Sequence, residues 1–519
     1  MPGQWSKSGC TVSSEGQGSP VEEMSIEEIR ETADRLGLRI GDEDVASVPQ
    51  WVARTLRVIT TLETPAEDAS KVGRPREYRW ATREEDPLNA FVTFCDVAGS
   101  AGGALHGLRV AVKDCLAVAG VPLTEGGGRK PYPLPSRDAL VVARLLDAGA
   151  TIVGKTNMED MAVGSGVGSY FGPARNPVNP SYQTGGSSSG SAAAVGGGLA
   201  DAALGTDQAG SVRIPAAWCG LVGMKPTHGL VPTQGMSRMD PTLDHIGPIT
   251  KDVGTNERVL ACLVGDHDDR VGGMGDERRS ASPSEGGGPS MSAMRIGVVT
   301  QASHRAPLTD GLRHAFDDGL AALRGLGATV EDADVPLWNS SLPIFTGVVA
   351  HGLLGTWMAG GCGFGTTETL DEDWVEQAPI HRRLESTALP PRVLARLLVA
   401  AHVHRRLGGI PIARALNLRV TLTRQIEACL GQFDLLVTPT VCKVADPFPD
   451  APPTRDWLVL GDGRELLNTV PLDLSGHPAL TVPCGEADGG LPVGLQLIGP
   501  RFSEARLYMA ASALERSRN

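Results

Sequence analysis

The sequence predicts an α/β fold in which helices cover both faces of a large central β-sheet with mostly parallel or mixed strands. Residues 108–114 alternate apolar and polar side chains, which is typical of a strand. Residues 140–146 place apolar side chains at helical spacing between Ser136 and Gly149, and residues 151–153 form a second apolar strand. A strand, a helix and a strand at this spacing indicate a right-handed βαβ unit, from which such sheets are built.

Composition narrows the class of protein. The 519 residues include 47 Lys and Arg against 60 Asp and Glu, a formal net charge of −13 that argues against wholesale binding to nucleic acid or an anionic membrane. The nine cysteines form no CxxC pair, so we expect neither a disulfide framework nor a zinc site. No apolar run approaches the roughly 18 residues of a membrane span. Residues 1–20 lack the apolar core of a secretory signal, so we expect a soluble, cytoplasmic protein.

The N-terminal part is predicted to be a small helical appendage. Residues 1–20 are polar and Ser/Gly-rich, which is typical of a disordered tail. In residues 21–88, Ser25 and Glu28 form a capping-box pattern at the start of one helix, and residues 51–62 have the pattern of a second amphipathic helix. We interpret this appendage as a contact between the copies of a homodimer; the alternative is a helix pair that only faces solvent.

Residues 89–519 are predicted to form one large catalytic domain. Residues 266–294 interrupt it, because they are rich in Gly, Asp, Ser and Arg and show no apolar periodicity, as in a flexible linker or insertion. Helices dominate residues 380–430. Further strands are predicted at 295–299, 329–331, 433–440, 479–483 and 493–498.

A Gly/Ser-rich stretch at residues 185–213 carries the clearest sign of chemistry. Two small-residue loops, 185–191 and 205–213, each present a serine, and their glycines allow sharp turns that aim several backbone N–H groups at one point. A flexible linker is the alternative interpretation, but core-type apolar residues at 192–195 and 202–204 separate the loops. The stretch therefore predicts a buried pair of catalytic loops.

A serine nucleophile needs a base, because its hydroxyl is a poor nucleophile at neutral pH. Neither loop has the G-x-S-x-G flank of a nucleophile elbow. His245 and His477 are candidate bases, although a lone loop histidine is more often structural. A lysine can serve instead when burial keeps it neutral. Lys113 sits among apolar strand residues, but most strand lysines are solvated, so the residues alone leave both kinds of base open.

Three runs together resemble the amidase signature family, whose catalytic core is a Ser–cis-Ser–Lys triad. They are Val-Lys-Asp at 112–114, Gly-Gly-Ser-Ser-Ser-Gly-Ser at 185–191 and Gly-Thr-Asp-Gln-Ala-Gly-Ser-Val-Arg at 205–213. The likeness extends over most of the chain from about residue 89 and includes segments at 138–157, 223–227, 244–248, 438–440 and 473–483. The helical N-terminus and Asp207-Gln208 most resemble broad-specificity bacterial amidases, and resemble less the glutamine amidotransferase subunit of the tRNA-dependent system.

The resemblance implies the amidase-signature fold and three catalytic residues. Ser211 corresponds to the nucleophile, Ser187 to the bridging serine after a cis peptide bond, and Lys113 to the base. A proton would pass from Ser211 through Ser187 to Lys113 and return to the leaving amine. Supporting roles fall to other residues of the two loops: Ser188, Asp207 and Arg213, with Ser191 as a structural hydroxyl. The two charged residues would be paired, because an unpaired buried charge is costly.

The resemblance also implies an oxyanion hole, built by backbone N–H groups that point at the developing negative charge. These groups belong to Gln208, Ala209, Gly210 and Ser211. Ala209 and Ser189 stand where the family pattern has glycine. If either position requires a positive φ, its side chain would shift the anion site or narrow the pocket.

The implied activity is amide hydrolysis, in which an acyl-enzyme on Ser211 converts a carboxamide to a carboxylate and ammonia or an amine. Two alternatives use the same site: an amide-forming acyltransferase, in which an amine intercepts the acyl-enzyme, and a partner-dependent amidotransferase subunit. No metal or organic cofactor is implied, and the expected partner is a small-molecule amide, without nucleic acid or membrane. The pocket walls are expected at residues 164–171, 232–244, 338–360 and 438–442.

Overall fold

The computed structural model divides the chain into two compact units, Met1–Lys71 and Val72–Asn519. The predicted tail at residues 1–20 and most of the predicted linker at 266–294 lie outside the described residues. Only Met291–Ala293, a short 3-10 turn, and Met294 belong to the described part of that linker. The structure describes residues 24–59, 61–62, 76–130, 132–164, 166–264, 291–303, 308–365, 370, 372, 375, 389–450, 454–460, 463–487 and 489–518.

The N-terminal unit contains a pair of helices. Helix α1 (Ile26–Leu36) begins at Ser25, whose hydroxyl accepts the Glu28 N–H at 3.2 Å while the Glu28 carboxylate accepts the Ser25 N–H at 2.8 Å. This confirms the predicted capping box. Helix α2 (Asp42–Ile59) starts earlier than the predicted residue 51. Its first turn is acidic and therefore interacts favourably with the helix dipole, a start that apolar periodicity does not reveal.

The second unit is built on one sheet of twelve strands, whose order is β1-β2-β4-β3-β5-β7-β6-β11-β12-β10-β8-β9. In chain order these are β1 (Tyr78–Trp80), β2 (Phe91–Ala98), β3 (Arg109–Lys113), β4 (Thr151–Thr156), β5 (Ala202–Asp207), β6 (Val222–Lys225), β7 (His245–Thr250), β8 (Arg295–Val299), β9 (Thr329–Ala333), β10 (Leu435–Pro439), β11 (Ala479–Ala487) and β12 (Leu491–Ile498). The predicted α/β class is confirmed.

The sheet is mixed rather than mostly parallel. Four neighbouring pairs are parallel and seven are antiparallel. The predicted βαβ unit is present, since helix α3 (Leu140–Asp147) joins the parallel strands β3 and β4. Strands β11 and β12 are instead joined by a short turn with positive φ at Gly489 and Gly490, too short for a parallel crossover.

The sheet begins inside residues 21–88, which the sequence predicted to be helical. Strand β1 pairs with β2 through Tyr78 opposite Cys95 and Trp80 opposite Thr93. The Trp80 ring also stacks on Phe171, with ring centroids 6.1 Å apart. Aromatic packing and pairing with β2 therefore form this short strand in a stretch without apolar periodicity.

Helices cover both faces of the sheet. On β3, Val110 and Val112 pack in one cluster with α3 and helix α6 (Val253–Val264), whereas Ala111 packs in another cluster with helix α4 (Ser189–Gly196). Successive strand side chains point to opposite faces, so these clusters lie on opposite sides. The remaining helices are α4 (Ser189–Gly196), α5 (Arg213–Trp218), α6 (Val253–Val264), α7 (Thr300–Ser303), α8 (Asp310–Gly325), α9 (Ser341–Met358), α10 (Pro391–Leu407), α11 (Ile410–Leu430), α12 (Arg455–Leu460), α13 (Val470–Ser475) and α14 (Glu504–Arg518).

One stretch of the described residues, Trp338–Met358, is long and apolar enough to cross a membrane by length and composition. Its helix α9 buries Ile344, Phe345, Val348 and Val349 in a cluster that also contains α11 side chains. This packing is typical of a core helix.

Candidate active site

Lys113 is the last residue of β3, and its side chain is fully buried. Its Nζ donates to Ser187 Oγ at 2.8 Å and to Thr206 Oγ1 at 2.8 Å. Thr206 lies on β5, the parallel neighbour of β3. Burial disfavours the ammonium form and lowers the pKa of Lys113 to about 8. A lysine held in this way can accept a proton near neutral pH.

Ser187 lies in the tight loop that leads into α4. The Gly186–Ser187 peptide bond is cis, as the family resemblance implies. Gly185 has a φ of 76°, and a Cβ there would lie 3.0 Å from the Trp218 ring, so glycine is required at this turn. The Gly/Ser composition of the loop therefore follows from its close packing against α5.

Ser211 lies in the loop between β5 and α5 and is half-buried. Its carbonyl accepts the N–H of Ser188 at 3.3 Å, which joins this loop to the residue that follows Ser187. The structure thus brings the two predicted serine loops together. Among the described residues, no hydrogen bond joins Ser211 Oγ to Ser187 Oγ, so the step of the relay from Ser211 to Ser187 stays a prediction.

A buried ion cluster holds the Ser211 loop. Arg213 donates to Asp207 Oδ1 at 2.9 Å and to Asp473 Oδ2 at 2.7 Å, and all three side chains are fully buried. The Asp207 carboxylate also accepts the N–H groups of Gly210 at 2.7 Å and Val212 at 3.0 Å. Burial alone would raise the pKa of Asp207, but the Arg213 guanidinium holds it well below its ordinary value. These contacts fit the supporting role predicted for Asp207 and Arg213.

The predicted oxyanion hole needs one correction. The Gly210 N–H already donates to Asp207 Oδ1, so it is not free to bind an oxyanion. The N–H groups of Gln208, Ala209 and Ser211 donate to no acceptor within the described part of the chain. The sequence does not show that the Gly210 N–H is already bonded, because this hydrogen bond depends on the orientation of the Asp207 side chain toward its own loop.

The two departures from the family pattern cause no backbone strain. Neither Ala209 nor Ser189 has a positive φ. Ser189 is the first residue of α4, and the Ala209 carbonyl accepts the Thr469 hydroxyl at 2.5 Å. The neighbouring Gly210 does have a φ of 121°, and a Cβ there would lie 2.4 Å from Thr469 Oγ1. The glycine is needed at Gly210 rather than at Ala209.

The other serines of the first loop are engaged in the framework. The Ser188 hydroxyl donates to the Thr206 carbonyl and accepts the Thr206 N–H, both at 3.3 Å. Ser191 Oγ donates to the Leu204 carbonyl at 2.9 Å and lies 2.8 Å from Thr156 Oγ1. Both hydroxyls therefore tie α4 to the sheet, which agrees with the structural roles predicted for them.

The two candidate histidine bases are occupied elsewhere. His245 Nδ1 lies 2.7 Å from the Leu243 carbonyl and its Nε2 lies 3.2 Å from Lys225 Nζ. His477 Nδ1 lies 3.0 Å from Ser475 Oγ. Burial lowers the pKa of His477 to about 3 and that of His245 well below its ordinary value. No hydrogen bond between described residues joins either ring to a serine of the Gly/Ser loops.

Sequence reasoning missed two residues beside the relay, Thr206 and Glu159. Thr206 stands directly before Asp207 in the second loop motif, but its contact with Lys113 depends on the pairing of β3 with β5, which the sequence does not show. Glu159 follows β4 in a loop without a comparable pattern, and its N–H donates to the Ser187 carbonyl at 3.3 Å. Only the packing of that loop reveals it.

Besides a cavity of about 350 Å³ lined in part by Tyr170 and Phe171, two cavities adjoin the predicted pocket walls. One cavity, of about 700 Å³, is lined by residues that include Glu159, Gly164, Gly168 and Tyr170. A smaller one of about 60 Å³ includes Cys115, whose Sγ lies 3.8 Å from Thr206 Oγ1. Residues 164–171, 232–244 and 338–360 contribute to these linings, whereas 438–442 line neither. Neither lining includes Lys113, Ser187 or Ser211, so the buried contact between Lys113 and Ser187, rather than a cavity, marks the candidate site.

The side chains offer little to a metal ion. Within the residues that the structure describes, no group of three or more His, Cys, Asp or Glu side chains has a metal-binding arrangement. The donors near Lys113 are hydroxyls, which suit proton transfer better than metal binding.

Comparisons with known proteins identify the family of this chain. The amidase family profile matches residues 93–508. A glutamyl-tRNA(Gln) amidotransferase subunit of Halobacterium salinarum is 36% identical over 434 residues, 82% of this chain and 99% of the relative. The enantioselective amidase of Rhodococcus rhodochrous is 34% identical over 484 residues, 89% of each chain.

A solved structure extends the likeness to three dimensions. The peptide amidase PAM, in complex with the competitive inhibitor chymostatin, is 29% identical, with a TM-score of 0.63 over 80% of this chain and 84% of that one. The family profile covers well over half of the sequence, and both relatives exceed 30% identity over more than two thirds of it. The chain therefore belongs to the amidase family.

Proposed function

We propose that this amidase hydrolyses a small-molecule carboxamide through an acyl-enzyme on Ser211, with Ser187 and Lys113 as the proton relay. The observation that carries the proposal is the buried contact of 2.8 Å between Lys113 Nζ and Ser187 Oγ. An amine there acts as a base only when neutral. Burial lowers its pKa to about 8, which makes the neutral form accessible near neutral pH.

In the proposed reaction, Ser211 Oγ attacks the carbonyl carbon while its proton passes to Ser187 and the Ser187 proton passes to Lys113. The resulting oxyanion is stabilised by the N–H groups of Gln208, Ala209 and Ser211, each worth about 3 kcal/mol in comparable sites. The C–N bond then breaks, and the Lys113 proton returns through Ser187 to the leaving amine. Water attacks the acyl-enzyme by the same relay and releases the carboxylate.

A fluorophosphonate probe tests the assignment of the nucleophile. Wild-type protein is expected to be labelled covalently, and Ser211→Ala is expected to be neither labelled nor active. Ser100→Ala, at an exposed serine outside the site, is the matched control and should label like wild type. Equal labelling of Ser211→Ala and wild type would exclude Ser211 as the nucleophile.

The substrate class is tested with a panel of aliphatic and aromatic amides, in which released ammonia is measured directly. We expect ammonia and carboxylate in equal amounts from at least one class of amide. A competing amine added to the same assay tests the acyltransferase alternative, because interception would form a new amide in place of the carboxylate.

A partner-dependent amidotransferase subunit is the second candidate. The observation that favours it is the 36% identity to the Halobacterium salinarum protein, of which the alignment covers 99%. The two candidates differ in what the purified chain does alone. Hydrolysis and probe labelling without any partner support the first, whereas activity that appears only after a partner is added supports the second.

We also propose a cytoplasmic homodimer that binds neither nucleic acid nor membrane. The net charge of −13 supports the lack of affinity for polyanions. Apolar side chains exposed on α1 and α2, such as Ile26 at 57%, Trp51 at 54% and Val58 at 63%, support a contact between copies. Sedimentation of wild type is expected to give a dimer, and the Trp51→Glu, Val58→Glu double variant a monomer.

A further inference from the structure

Glu159 packs directly against the bridging serine. It follows β4, is 1% exposed, and its N–H donates to the Ser187 carbonyl at 3.3 Å. Its Cγ would lie 3.1 Å from a Cβ added to Gly186, so the side chain lies against the peptide that precedes Ser187. The residue is therefore in contact with the loop that presents the middle hydroxyl of the relay.

The Glu159 carboxyl is only partly satisfied. Its Oε2 accepts the Gly168 N–H at 2.6 Å, whereas its buried Oε1 has no hydrogen-bond partner within the described part of the chain. A buried carboxylate without a full set of donors depends on nearby positive charge. The cations that act on it are Arg392, from α10, and Lys113. Burial nevertheless raises the pKa of Glu159 to about 7.

The other acidic groups near Lys113 either have a hydrogen-bonded cation of their own or are uncharged where Lys113 titrates. Asp207, at the end of β5, is committed to Arg213 through two hydrogen bonds. Cys115, in the turn after β3, has a thiol whose pKa burial raises, so it is uncharged when Lys113 titrates. Asp160, the neighbour of Glu159, pairs with Arg129 at 2.8 Å. Asp114, next to Lys113 in sequence, accepts Lys155 Nζ at 2.8 Å. Glu159 lies against the Ser187 loop, whose hydroxyl accepts Lys113 Nζ, and among the described residues its carboxyl has no hydrogen-bonded cation.

We infer that Glu159 is a positioning residue of the relay, which holds the Ser187 loop through its backbone and, through its carboxylate, sets the pH at which Lys113 becomes neutral. This inference rests on the proposed function, because it assumes that neutral Lys113 is the base. A negative charge near Lys113 favours the ammonium form. Removing that charge must therefore make Lys113 neutral at lower pH.

The pH profile of kcat/KM for Glu159→Gln tests the inference, since glutamine keeps the shape of the side chain and removes its charge. The rising limb is expected to move to lower pH, by on the order of one unit for a single charge in a partly screened site. The rate of fluorophosphonate labelling against pH is a second readout and should move equally. A role limited to packing would lower the rate without moving the limb.

Two further variants make the outcome decisive. Glu504→Gln, at a buried carboxyl that accepts the Thr227 N–H, is the matched control and should leave the limb in place. Glu159→Asp keeps the charge but moves it away from Lys113, because the side chain is one methylene shorter, so the rising limb should move to lower pH by a smaller amount. This variant tests the inference if Glu159→Gln does not fold. An unmoved limb, or one moved to higher pH, overturns the inference. A wild-type profile without a rising limb would instead contradict the proposed function.

Discussion

Two fully buried polar clusters lie next to each other along β5 in this amidase. They differ in whether their charged groups can change protonation state near neutral pH. Around Lys113 the hydrogen-bond partners are neutral hydroxyls, Ser187 Oγ and Thr206 Oγ1, both at 2.8 Å. Without a hydrogen-bonded carboxylate among the described residues, burial dominates and lowers the pKa of the lysine to about 8. This cluster can release and accept a proton near neutral pH.

Around Arg213 the partners are carboxylates, with Asp207 at 2.9 Å and Asp473 at 2.7 Å. Here the opposite charges outweigh burial for Asp207, whose pKa lies well below its ordinary value. Asp207 therefore stays ionised throughout the neutral pH range. Equal burial therefore gives a switchable proton site at Lys113 and a permanent charge at Asp207, whereas burial and the neighbouring Asp207 charge raise the pKa of Asp473 well above its ordinary value.

The largest effect is expected from Lys113→Ala, which removes the switchable group. Because a serine hydroxyl needs a base, kcat/KM should fall by about a thousandfold or more. Ammonia release measures the loss, and a thermal unfolding curve checks that the variant is folded. Lys251→Ala, at an exposed lysine, is the control and should behave like wild type. Activity within tenfold of wild type would contradict the view that the cluster around Lys113 holds an essential base.

The same cluster predicts the direction of the pH dependence. As the proposed base, Lys113 would act when neutral, and burial lowers its pKa to about 8, so wild-type kcat/KM should rise about tenfold per pH unit below that value and level off above it. Initial rates measured between about pH 6 and 10 give the profile. A profile that falls through this range would assign the limb to a group that must be protonated.

Removing the fixed charge with Arg213→Met should act mainly on stability. The buried Asp207 carboxylate loses its cation and Asp473 loses a hydrogen-bond donor, so the free energy of unfolding should fall by about 3–5 kcal/mol. Asp207 has a depressed folded pKa, so its pairing stabilises the protein above the ordinary aspartate pKa of about 3.9 and the contribution is lost as pH falls. The deficit of the variant should therefore be largest near neutral pH and shrink in acid.

Arg109→Met is the matched control for Arg213→Met. Arg109 also pairs with a carboxylate, that of Asp201 at 2.8 Å, but the two side chains are 48% and 38% exposed. Such a surface pair contributes about 1 kcal/mol or less. Denaturant unfolding at several pH values compares the two variants. Equal losses would show that burial does not separate the two kinds of ion pair.

A smaller effect is expected from Thr206→Val, which removes one hydroxyl from the lysine cluster while keeping the side-chain shape. A hydrogen bond of this kind is worth about 0.5–1.5 kcal/mol, so kcat/KM should fall by about threefold to tenfold. Thr206→Ser restores the hydroxyl and should recover most of the activity. If Thr206→Ser is impaired as strongly as Thr206→Val, the hydrogen bond to Lys113 alone does not account for the role of Thr206.

The smallest effect is expected from Ala209→Gly, which restores the family pattern. Ala209 has no positive φ, so glycine relieves no strain and activity should stay within about twofold of wild type. Gly210→Ala is the informative contrast, because its Cβ would lie 2.4 Å from Thr469 Oγ1. That variant should lose activity and stability together. Equal behaviour of the two variants would show that the geometry of this loop does not set its tolerance.

Much of the fold and of the candidate site could be predicted from local pattern. The capping box at Ser25 and Glu28, the βαβ unit and the apolar strands depend on residues close in sequence, and the structure contains them. The Gly/Ser composition of the two loops is likewise visible in the sequence, although the reason for the glycine at 185, a clash of its Cβ with Trp218, is a tertiary contact. Strand β1 was missed, because it depends on pairing with β2 rather than on its own periodicity.

The sequence by itself determined that a lysine ends an apolar strand and that two glycine-rich loops each present a serine. Only the tertiary structure decided what surrounds them: the hydroxyl of Thr206 on Lys113, the Asp207 carboxylate on the Gly210 N–H, and Glu159 against the Ser187 loop. The reason is physical. Lys113 and Ser187 are 74 residues apart and Lys113 and Thr206 are 93 apart, so strand register and loop packing bring them into contact, and those partners set the charge that each group carries.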